Sequence, residues 1–393
     1  MSAPVDDGTI APPRIVIAPD TFKGSLGAKY VAEHLALGVH RAVPKADVDV
    51  IPVADGGEGT VAAGLASGLN PVETFVHGPF GQQVRVVYAS DGRTAVLELA
   101  AAAGLHLSPV DPQAARTAST YGVGQLIAHA LDSGCRRLVL GVGGSATTDG
   151  GAGMLQALGA DVRGPEGTID PGGAALAQVQ EVDLSGVHPQ LAGSEFILAG
   201  DVQNPLLGPD GAAAVYGPQK GADQDAIADL ESGLSRWVQV LTEAGVYRAN
   251  ELAQAPGAGA AGGAGFGALI LGARRRPGVQ VVLDLVEFSR RVRGADLVIT
   301  GEGRLDSQTL SGKTPIGVAT AAAEAAVLTI AVAGRNDLTC EEVAQTPFTA
   351  VYALADLEPD AGRSIRQAGE LLEKLGARIA TKHLWQDLVH ADS

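Results

Sequence analysis

The sequence predicts a layered α/β protein built on a parallel sheet. Apolar residues make up 46% of the 393 residues and aromatic residues only 4%, so aliphatic side chains and alanine must fill the core. Short aliphatic runs recur at both ends of the chain, as expected of strands that are buried on both faces. A polar, glycine-containing loop and a helical pattern follow several of these runs, which favours parallel strands joined by helices.

The first elements repeat this pattern twice. Residues 14–20 are predicted to form a strand, and Ser25 is placed to cap the helix that follows it. Residues 48–53 are predicted to form a second strand, which runs into the glycine-rich segment 54–60 and another helix. The polar stretch 301–306 is interpreted as a loop of the same kind near the C-terminus. The strands predicted in that part of the chain are residues 295–300, 328–333 and 349–354.

The chain is long enough for two domains. We expect residues 1–70 and 291–393 to join in one discontinuous domain with a parallel sheet, because either part alone has too few strands for a stable open sheet. Residues 71–290 would form a second α/β domain inserted into the first. Within it, residues 83–88 and 94–99 alternate like a β-hairpin. Two sequential domains are the alternative.

One glycine-rich stretch dominates the middle of the chain. It follows a predicted strand at 137–140, runs from Gly141 to Gly153 and leads into a helical pattern. Glycines let backbone N–H groups converge, and the hydroxyl groups beside them add donors, so the stretch suits a phosphate or another anion. The spacing of Gly141, Gly143 and Ala146 also fits a dinucleotide-binding fingerprint. A tight turn without a ligand is the third interpretation.

Charge and cysteine content restrict the class of protein. The formal net charge of −16 argues against nucleic acid and anionic membranes as partners. Cys135 and Cys340 are far apart and lack metal-binding spacing, which indicates free thiols in a reducing cytoplasm. Residues 1–13 lack the basic and apolar regions of a signal peptide, and no apolar run is long enough to cross a bilayer. We therefore expect a soluble, cytoplasmic protein.

Charged residues follow four of the predicted strands. They are Asp20 and Lys23, Asp55 and Glu58, Asp201, and Glu302 with Arg304 and Asp306. In open α/β sheets, ligands bind beyond the carboxyl ends of the strands. Phosphoryl transfer needs donors around the moving group, carboxylates for Mg²⁺ and a carboxylate that takes the proton of the attacking hydroxyl. These charged residues and glycine-rich loops together therefore favour phosphoryl transfer.

Six motifs extend over nearly the whole chain. They are residues 18–26, 54–60, 141–153, 201–208, 217–221 and 300–306. In sequence and order they resemble the bacterial class I glycerate kinases, and Thr21 and Ser311 are the departures. The resemblance implies a discontinuous Rossmann-like domain with a second α/β domain inserted. It also implies a kinase that uses ATP and Mg²⁺ to phosphorylate D-glycerate, usually to 2-phosphoglycerate, although the sequence does not itself decide between the 2- and 3-hydroxyl.

The resemblance and the positions of these residues suggest their roles. Asp201 is the candidate base for the glycerate hydroxyl, with a helix cap as its alternative role. Nucleotide phosphates are expected to contact Gly143, Gly144, Ser145, Ala146 and Thr147. The glycerate carboxylate or the moving phosphoryl group is expected to contact Lys23, Ser25, Arg304 and Lys313. Candidates for Mg²⁺ are Glu58 and Glu302, and Asp55 is a candidate for substrate or Mg²⁺.

Two other functions stay open. An NAD-dependent hydroxy-acid dehydrogenase would use the fingerprint at 141–146 and an acid about twenty residues further on. Asp161 lies near that distance, but it directly follows the predicted helix. A non-catalytic sugar-acid binding protein would need the anion site without so many carboxylates. A homodimer is compatible with the sequence, which does not fix the oligomeric state.

Overall fold

The computed structural model describes residues 11–389, except for the side chains of Ser311 and of residues 385–389. Residues 1–10 lie outside the described residues. They belong to the segment 1–13, for which the sequence analysis predicted no signal peptide. In chain order the strands are β1 (Arg14–Pro19), β2 (Asp47–Val50), β3 (Asn70–His77), β4 (Gln83–Ser90), β5 (Thr94–Glu98), β6 (Arg137–Gly141), β7 (Asp161–Gly164), β8 (Gly167–Thr168), β9 (Glu181–Asp183), β10 (Glu195–Ala199), β11 (Arg274–Arg276), β12 (Leu297–Leu305), β13 (Leu328–Asn336) and β14 (Ala350–Ala353).

The α-helices lie between and after these strands. In chain order they are α1 (Ala28–Ala42), α2 (Thr60–Ala66), α3 (Leu99–Ala103), α4 (Pro112–Thr117), α5 (Tyr121–Asp132), α6 (Ala152–Ala157), α7 (Ala212–Tyr216), α8 (Gln224–Glu243), α9 (Ala249–Gln254), α10 (Ala260–Ile270), α11 (Gly278–Leu285), α12 (Phe288–Arg291), α13 (Thr314–Glu324), α14 (Cys340–Ala344), α15 (Ala361–Arg366) and α16 (Ala368–Val389). Within the described chain, none of them is long and apolar enough to cross a membrane.

The chain divides into two compact units. The first contains the residues up to Val53 and those from Glu287 onward, and the second is Ala54–Val286. The sequence placed the boundaries at 70/71 and 290/291. The first boundary differs because α2 packs against β4, β5 and α11 of the second unit. Its side chains Val61 and Leu65 lie against the buried cluster of that unit.

The first unit has a five-stranded parallel sheet with the order β2-β1-β12-β13-β14. Helices cover both of its faces, as the alternation along β13 shows. Ile330 and Val332 belong to the core formed with α1 and α16, whereas Ala331 and Ala333 belong to a cluster with Ala319 of α13. This unit is the discontinuous Rossmann-like domain that the sequence predicted, and it confirms the α/β fold class.

The second unit has a six-stranded mixed sheet with the order β11-β10-β6-β5-β4-β3. Strands β11, β10, β6 and β5 are parallel; β4 pairs antiparallel with β5, and β3 pairs antiparallel with β4. The core on one face includes Leu126, Met154, Trp237 and Phe266 from α5, α6, α8 and α10. On the other face, Val281 of α11 packs on the strands beside α2. Strands β8, β7 and β9 form a separate small antiparallel sheet.

Two local predictions in the first unit were wrong. Strand β12 runs to Leu305, so most of the stretch 301–306 is strand and not loop; it continues because Leu305 pairs in register with Asn336 of β13. Ser25 does not cap α1. The N-cap residue is Gly27, and the Ser25 hydroxyl donates to the backbone carbonyl of Ile365 over 3.2 Å.

Candidate active site

The carboxyl ends of four strands lie side by side in the second unit. Glu98 of β5, Gly141 of β6, Ala199 of β10 and Arg276 of β11 are partners in register across the sheet. The segments that follow these strands therefore leave the sheet at one edge, which is where ligands bind in open α/β sheets. They carry the glycine-rich loop after β6 and Asp201 after β10.

The backbone of residues 55–57 packs directly against the backbone of three glycines at this edge. We call this set of contacts the glycine seam. The seam consists of three close pairs. A Cβ added to Gly278 would lie 1.8 Å from the carbonyl oxygen of Asp55. A Cβ added to Gly141 would lie 2.5 Å from the carbonyl oxygen of Gly56, and one added to Gly143 would lie 2.6 Å from the Cα of Gly57. Side chains larger than hydrogen do not fit there, so glycine is required at these positions. The seam brings the segment that carries Asp55 onto the strand ends.

Asp201 is half-buried at this edge. Its Oδ1 accepts a hydrogen bond from the backbone N–H of Gly278 over 3.0 Å. Its Oδ2 is buried and has no hydrogen-bond partner among the described residues. Burial raises the pKa of the Asp201 carboxyl to about 6. The hydrogen bond from Gly278 and the charge of Arg275 lower this pKa, and the negative charge of Asp55 raises it further. A buried acceptor with such a pKa can take a proton from a bound hydroxyl group.

Glu98 holds the segment that carries Asp55 and Glu58. Its Oε1 accepts hydrogen bonds from the N–H groups of Gly59 and Val61, over 3.1 and 2.7 Å, and so satisfies donors at the start of α2. Burial raises the pKa of Glu98, and these hydrogen bonds oppose the shift. Asp55 is half-buried and Glu58 exposed. Sequence reasoning missed Glu98, whose one signal is an acid at the end of a fully apolar run.

The loop of residues 143–147 is accessible only in its first part. Gly143 is half-buried, and Gly144 is exposed with a φ of 69°. Ser145, Ala146 and Thr147 are buried, and the N–H of Ala146 already donates to a carbonyl at the end of α3 over 2.9 Å. The backbone groups free to meet a phosphate are therefore concentrated at the two glycines. Phosphate contacts by the other three residues stay a prediction.

A buried network supports this loop from behind. Lys220 is 2% exposed, and its Nζ donates to the backbone carbonyl of Thr147 over 2.6 Å. The Oδ2 of Asp149 accepts hydrogen bonds from both the N–H and the hydroxyl of Thr120, each over 2.8 Å. Burial raises the pKa of Asp149. Burial also lowers the pKa of Lys220 to about 7, although the negative charge of Asp149 acts to raise it. Lys220 lies in the motif 217–221, to which the sequence analysis assigned no role.

The other predicted site residues lie in the first unit. Arg304 is exposed at the end of β12, where its Nε donates to Asp337 over 2.6 Å. Glu302, on the same strand, accepts a hydrogen bond from the hydroxyl of Thr309. Lys313 is the N-cap residue of α13. The structure thus gives Arg304 and Glu302 protein partners, and their contacts with substrate or metal stay predictions.

Lys23 and Ser25 line a crevice at the carboxyl edge of the first sheet, which we call the switch-point crevice. Its volume is about 360 Å³. The glycines of its floor are Gly303 of β12 and Gly334 of β13, and its far side is formed by residues 354–368. Asp201 and the loop of residues 143–147 belong to the second unit, so the predicted site residues fall into two sets.

The carboxylates of the second unit fit a magnesium ion that also binds phosphate. Groups of three or more histidine, cysteine, aspartate or glutamate residues suited to a metal are absent from residues 11–389. Mg²⁺, however, is usually held by one or two carboxylates together with substrate phosphates. Asp55 and Glu58, on one segment at this edge, provide such oxygen donors. The predicted ligands Glu58 and Glu302 belong to different units.

The fold and these strand-end sites define an α/β phosphotransferase. The model of the Glycerate kinase family matches residues 15–384. A protein of Bacillus subtilis (strain 168) named glycerate kinase is 45% identical over 375 residues, which cover 93% of this chain and 97% of that protein. A protein of Escherichia coli (strain K12) named glycerate 2-kinase is 42% identical over 328 residues, which cover 82% of this chain and 85% of that protein.

A solved structure agrees with these relatives. The crystal structure of a protein from Salmonella typhimurium LT2, provisionally named glycerate kinase 2, superposes with a TM-score of 0.82 at 38% identity, and the match covers 96% of this chain and all of that one. The chain therefore belongs to the glycerate kinase family, and it is an enzyme, a kinase. This membership excludes the dehydrogenase and the non-catalytic binding protein considered from the sequence.

Proposed function

We propose that this glycerate kinase transfers the γ-phosphoryl group of MgATP to the 2-hydroxyl of D-glycerate and so forms 2-phosphoglycerate. The observation that carries the proposal is the Oδ2 of Asp201, which is buried at the strand-end edge without a partner among the described residues. The relative named glycerate 2-kinase supports the choice of hydroxyl. Attack by the 3-hydroxyl is the competing outcome.

Asp201 is the proposed general base. Its pKa of about 6 leaves the carboxylate mostly ionised at neutral pH, yet more basic than an ordinary aspartate. The attacking hydroxyl oxygen forms a bond to the γ-phosphorus, and the bond from that phosphorus to the β–γ bridging oxygen breaks as ADP leaves. The hydroxyl proton passes to Oδ2 of Asp201. The hydrogen bond from Gly278 to Oδ1 keeps the carboxylate in one orientation while this occurs.

Backbone and carboxylate groups at the same edge take the proposed roles around the phosphates. The N–H groups at Gly143 and Gly144 are the proposed phosphate donors, because these residues are the accessible part of their loop. Asp55 and Glu58 are the proposed holders of Mg²⁺, which when bound offsets negative charge on phosphate oxygens. Glu98 orients that pair through the start of α2. Predicted ligands of substrate or metal in the first unit are Lys23, Ser25, Glu302, Arg304 and Lys313.

The proposed enzyme acts on small molecules in the cytoplasm. The negative net charge that disfavours nucleic acid also requires local donors for anionic substrates, and the glycines of the loop supply backbone donors of that kind. Membrane and nucleic-acid partners are not part of the proposal. A homodimer remains a prediction about its assembly.

Phosphorus NMR tests the proposal directly. Full-length protein incubated with MgATP and D-glycerate should produce ADP and the resonance of 2-phosphoglycerate, and L-glycerate serves as the matched control substrate. Excess EDTA should stop the reaction if Mg²⁺ is required. A resonance of 3-phosphoglycerate would overturn the assigned hydroxyl. Product formed at an undiminished rate by Asp201→Asn would remove Asp201 as the base.

A further inference from the structure

The strand order of the first unit marks one position on its sheet. Counted within the unit, the order β2-β1-β12-β13-β14 is 2-1-3-4-5, a doubly wound arrangement. The direction of winding reverses between β1 and β12, because the chain adds β2 on one side and the remaining strands on the other. Ligands of such sheets bind in the crevice outside the carboxyl ends of the strands at this switch point.

The switch-point crevice begins at this position. Residues 22–25 follow β1, Gly303 lies on β12, and Gly334 lies on β13. A Cβ on Gly334 would lie 2.5 Å from the carbonyl oxygen of Gly303, so backbone without side chains forms this part of the floor. The volume of about 360 Å³ is within the range of about 300–1,000 Å³ that is typical of small-molecule sites.

The far wall of the crevice is mostly apolar. It contains Leu354, Ala355, Pro359 and Ile365. Ile365 is 52% exposed, which is a large exposure for an isoleucine. The backbone carbonyl of Ile365 accepts the hydrogen bond of the Ser25 hydroxyl, so this wall is attached to the segment after β1. An apolar wall opposite a glycine floor fits a flat ring that is apolar on its faces.

The rim of the crevice carries positive charge. Lys23 is exposed and forms no ion pair with the described residues. The side chain of Arg335 is 71% exposed, and its Nε donates to Asp337 over 2.6 Å; Asp337 also accepts from Arg304, so this carboxylate is shared between two guanidinium groups. The one carboxylate in the lining, Glu358, is paired with Arg363 over 3.0 Å, and this hydrogen bond lowers its pKa. The unpaired charge of Lys23 and the exposed guanidinium of Arg335, which shares Asp337 with Arg304, favour a ligand with an anionic end.

We propose that the switch-point crevice binds the purine nucleoside part of the phosphoryl donor, with Lys23 and Arg335 facing its phosphates. This inference depends on the proposed use of ATP. A three-carbon acid such as glycerate is a poor alternative occupant, because it carries a polar group on every carbon and would leave most of the cavity empty. A nucleoside fills the volume, and its ring covers the apolar wall around Ile365.

A bulky substitution tests the apolar wall. Ala361 lines the crevice and is exposed at the first position of α15, so Ala361→Trp places an indole at the site without disturbing the core. Isothermal titration of the full-length protein with the non-hydrolysable analogue AMP-PNP and with adenosine should show binding weakened at least about tenfold for both ligands. Ala323→Trp, at an exposed position of α13 outside the crevice lining, is the matched control and should bind both as the wild type does.

Arg335→Met tests the rim. It should weaken AMP-PNP about tenfold and adenosine hardly at all, because only the phosphates are charged. Unchanged AMP-PNP binding by folded Ala361→Trp would overturn the inference. So would a rise in the KM of Ala361→Trp for glycerate with no change in its KM for ATP. Failure of the wild type to bind or use any adenine nucleotide would instead refute the proposed donor. The two failures are therefore distinguishable.

Discussion

The ammonium group of Lys220 donates a hydrogen bond to the backbone carbonyl of Thr147, and both residues are almost completely removed from water. A buried lysine that binds a main-chain carbonyl fixes the path of the chain there, because an uncompensated charge in the interior is costly. Asp149 is close enough for its charge to raise the pKa of the lysine against the effect of burial. The hydrogen bond from Lys220 to Thr147 therefore holds the loop whose first residues are Gly143 and Gly144.

Lys220→Met should destabilise the protein strongly. The substitution leaves the buried carbonyl of Thr147 without its lysine donor and removes a positive charge near the buried Asp149, and an unsatisfied buried polar group costs about 1–3 kcal/mol. Urea unfolding followed by circular dichroism measures the change, with Lys29→Met on the exposed face of α1 as control. The double variant Lys220→Met with Asp149→Asn should recover part of the loss. Equal stability of Lys220→Met and wild type would show that the pair contributes nothing.

Asp201→Asn should lower kcat about 10²–10⁴-fold, which is the usual contribution of a general base. The amide keeps the shape of the side chain and can still accept the hydrogen bond of Gly278, so AMP-PNP affinity should stay close to that of the wild type. Steady-state kinetics and titration calorimetry measure the two quantities. Asp225→Asn, an exposed position of α8, is the control. A loss of affinity without a loss of kcat would assign Asp201 to binding instead.

The stability of Asp201→Asn should move in the opposite direction to its activity. The folded-state pKa of Asp201 is about 6 against an ordinary value of 3.8, so the folded protein keeps a proton that the unfolded chain releases between these values. Stability attributable to Asp201 therefore falls as pH rises from 3.8 to about 6 and stays low above it. Thermal unfolding at a series of pH values should show that the Tm of the variant increases relative to that of the wild type as pH rises through this window. A constant difference in Tm from pH 4 to 7 would contradict the shifted pKa.

Gly278→Ala should disturb the glycine seam. The new Cβ would lie 1.8 Å from the carbonyl oxygen of Asp55, which cannot be relieved by a side-chain rotation. We expect a loss of stability of about 1–3 kcal/mol and a fall in kcat, because Asp55 must move away from the strand ends. Gly193→Ala is the matched control in the same unit, since nothing lies within 4 Å of its added Cβ. If the two variants have the same kcat, the seam has no catalytic importance.

Local patterns predicted the elements better than the contacts that join them. The aliphatic runs ending near Pro19, Gly141 and Ala199 lie in strands, because burial on both faces leaves a strong signal in sequence. Residues 301–305 were misread because their polar and glycine-rich sequence resembles a loop. They remain strand through pairing with a partner about thirty residues later, which no local pattern reports.

The same limit applies to the site. Asp201 could be predicted because a charged residue directly after a buried strand is conspicuous in sequence. Glu98 could not, because its role depends on N–H groups of α2, a helix that lies almost forty residues earlier in the chain. The burial of Ser145 and Thr147 was equally hidden, since a nest of small polar residues looks the same whether it faces water or Lys220.

The glycine seam limits how this enzyme could be redesigned. Where main chain lies against main chain there is no side chain to shorten, so every substitution at Gly141, Gly143 or Gly278 adds atoms to a place already full. A mutant library aimed at new acceptors should therefore leave these three positions constant. Variation is better placed at an accessible position nearby such as Gln203, where the side chain is exposed and can change size freely.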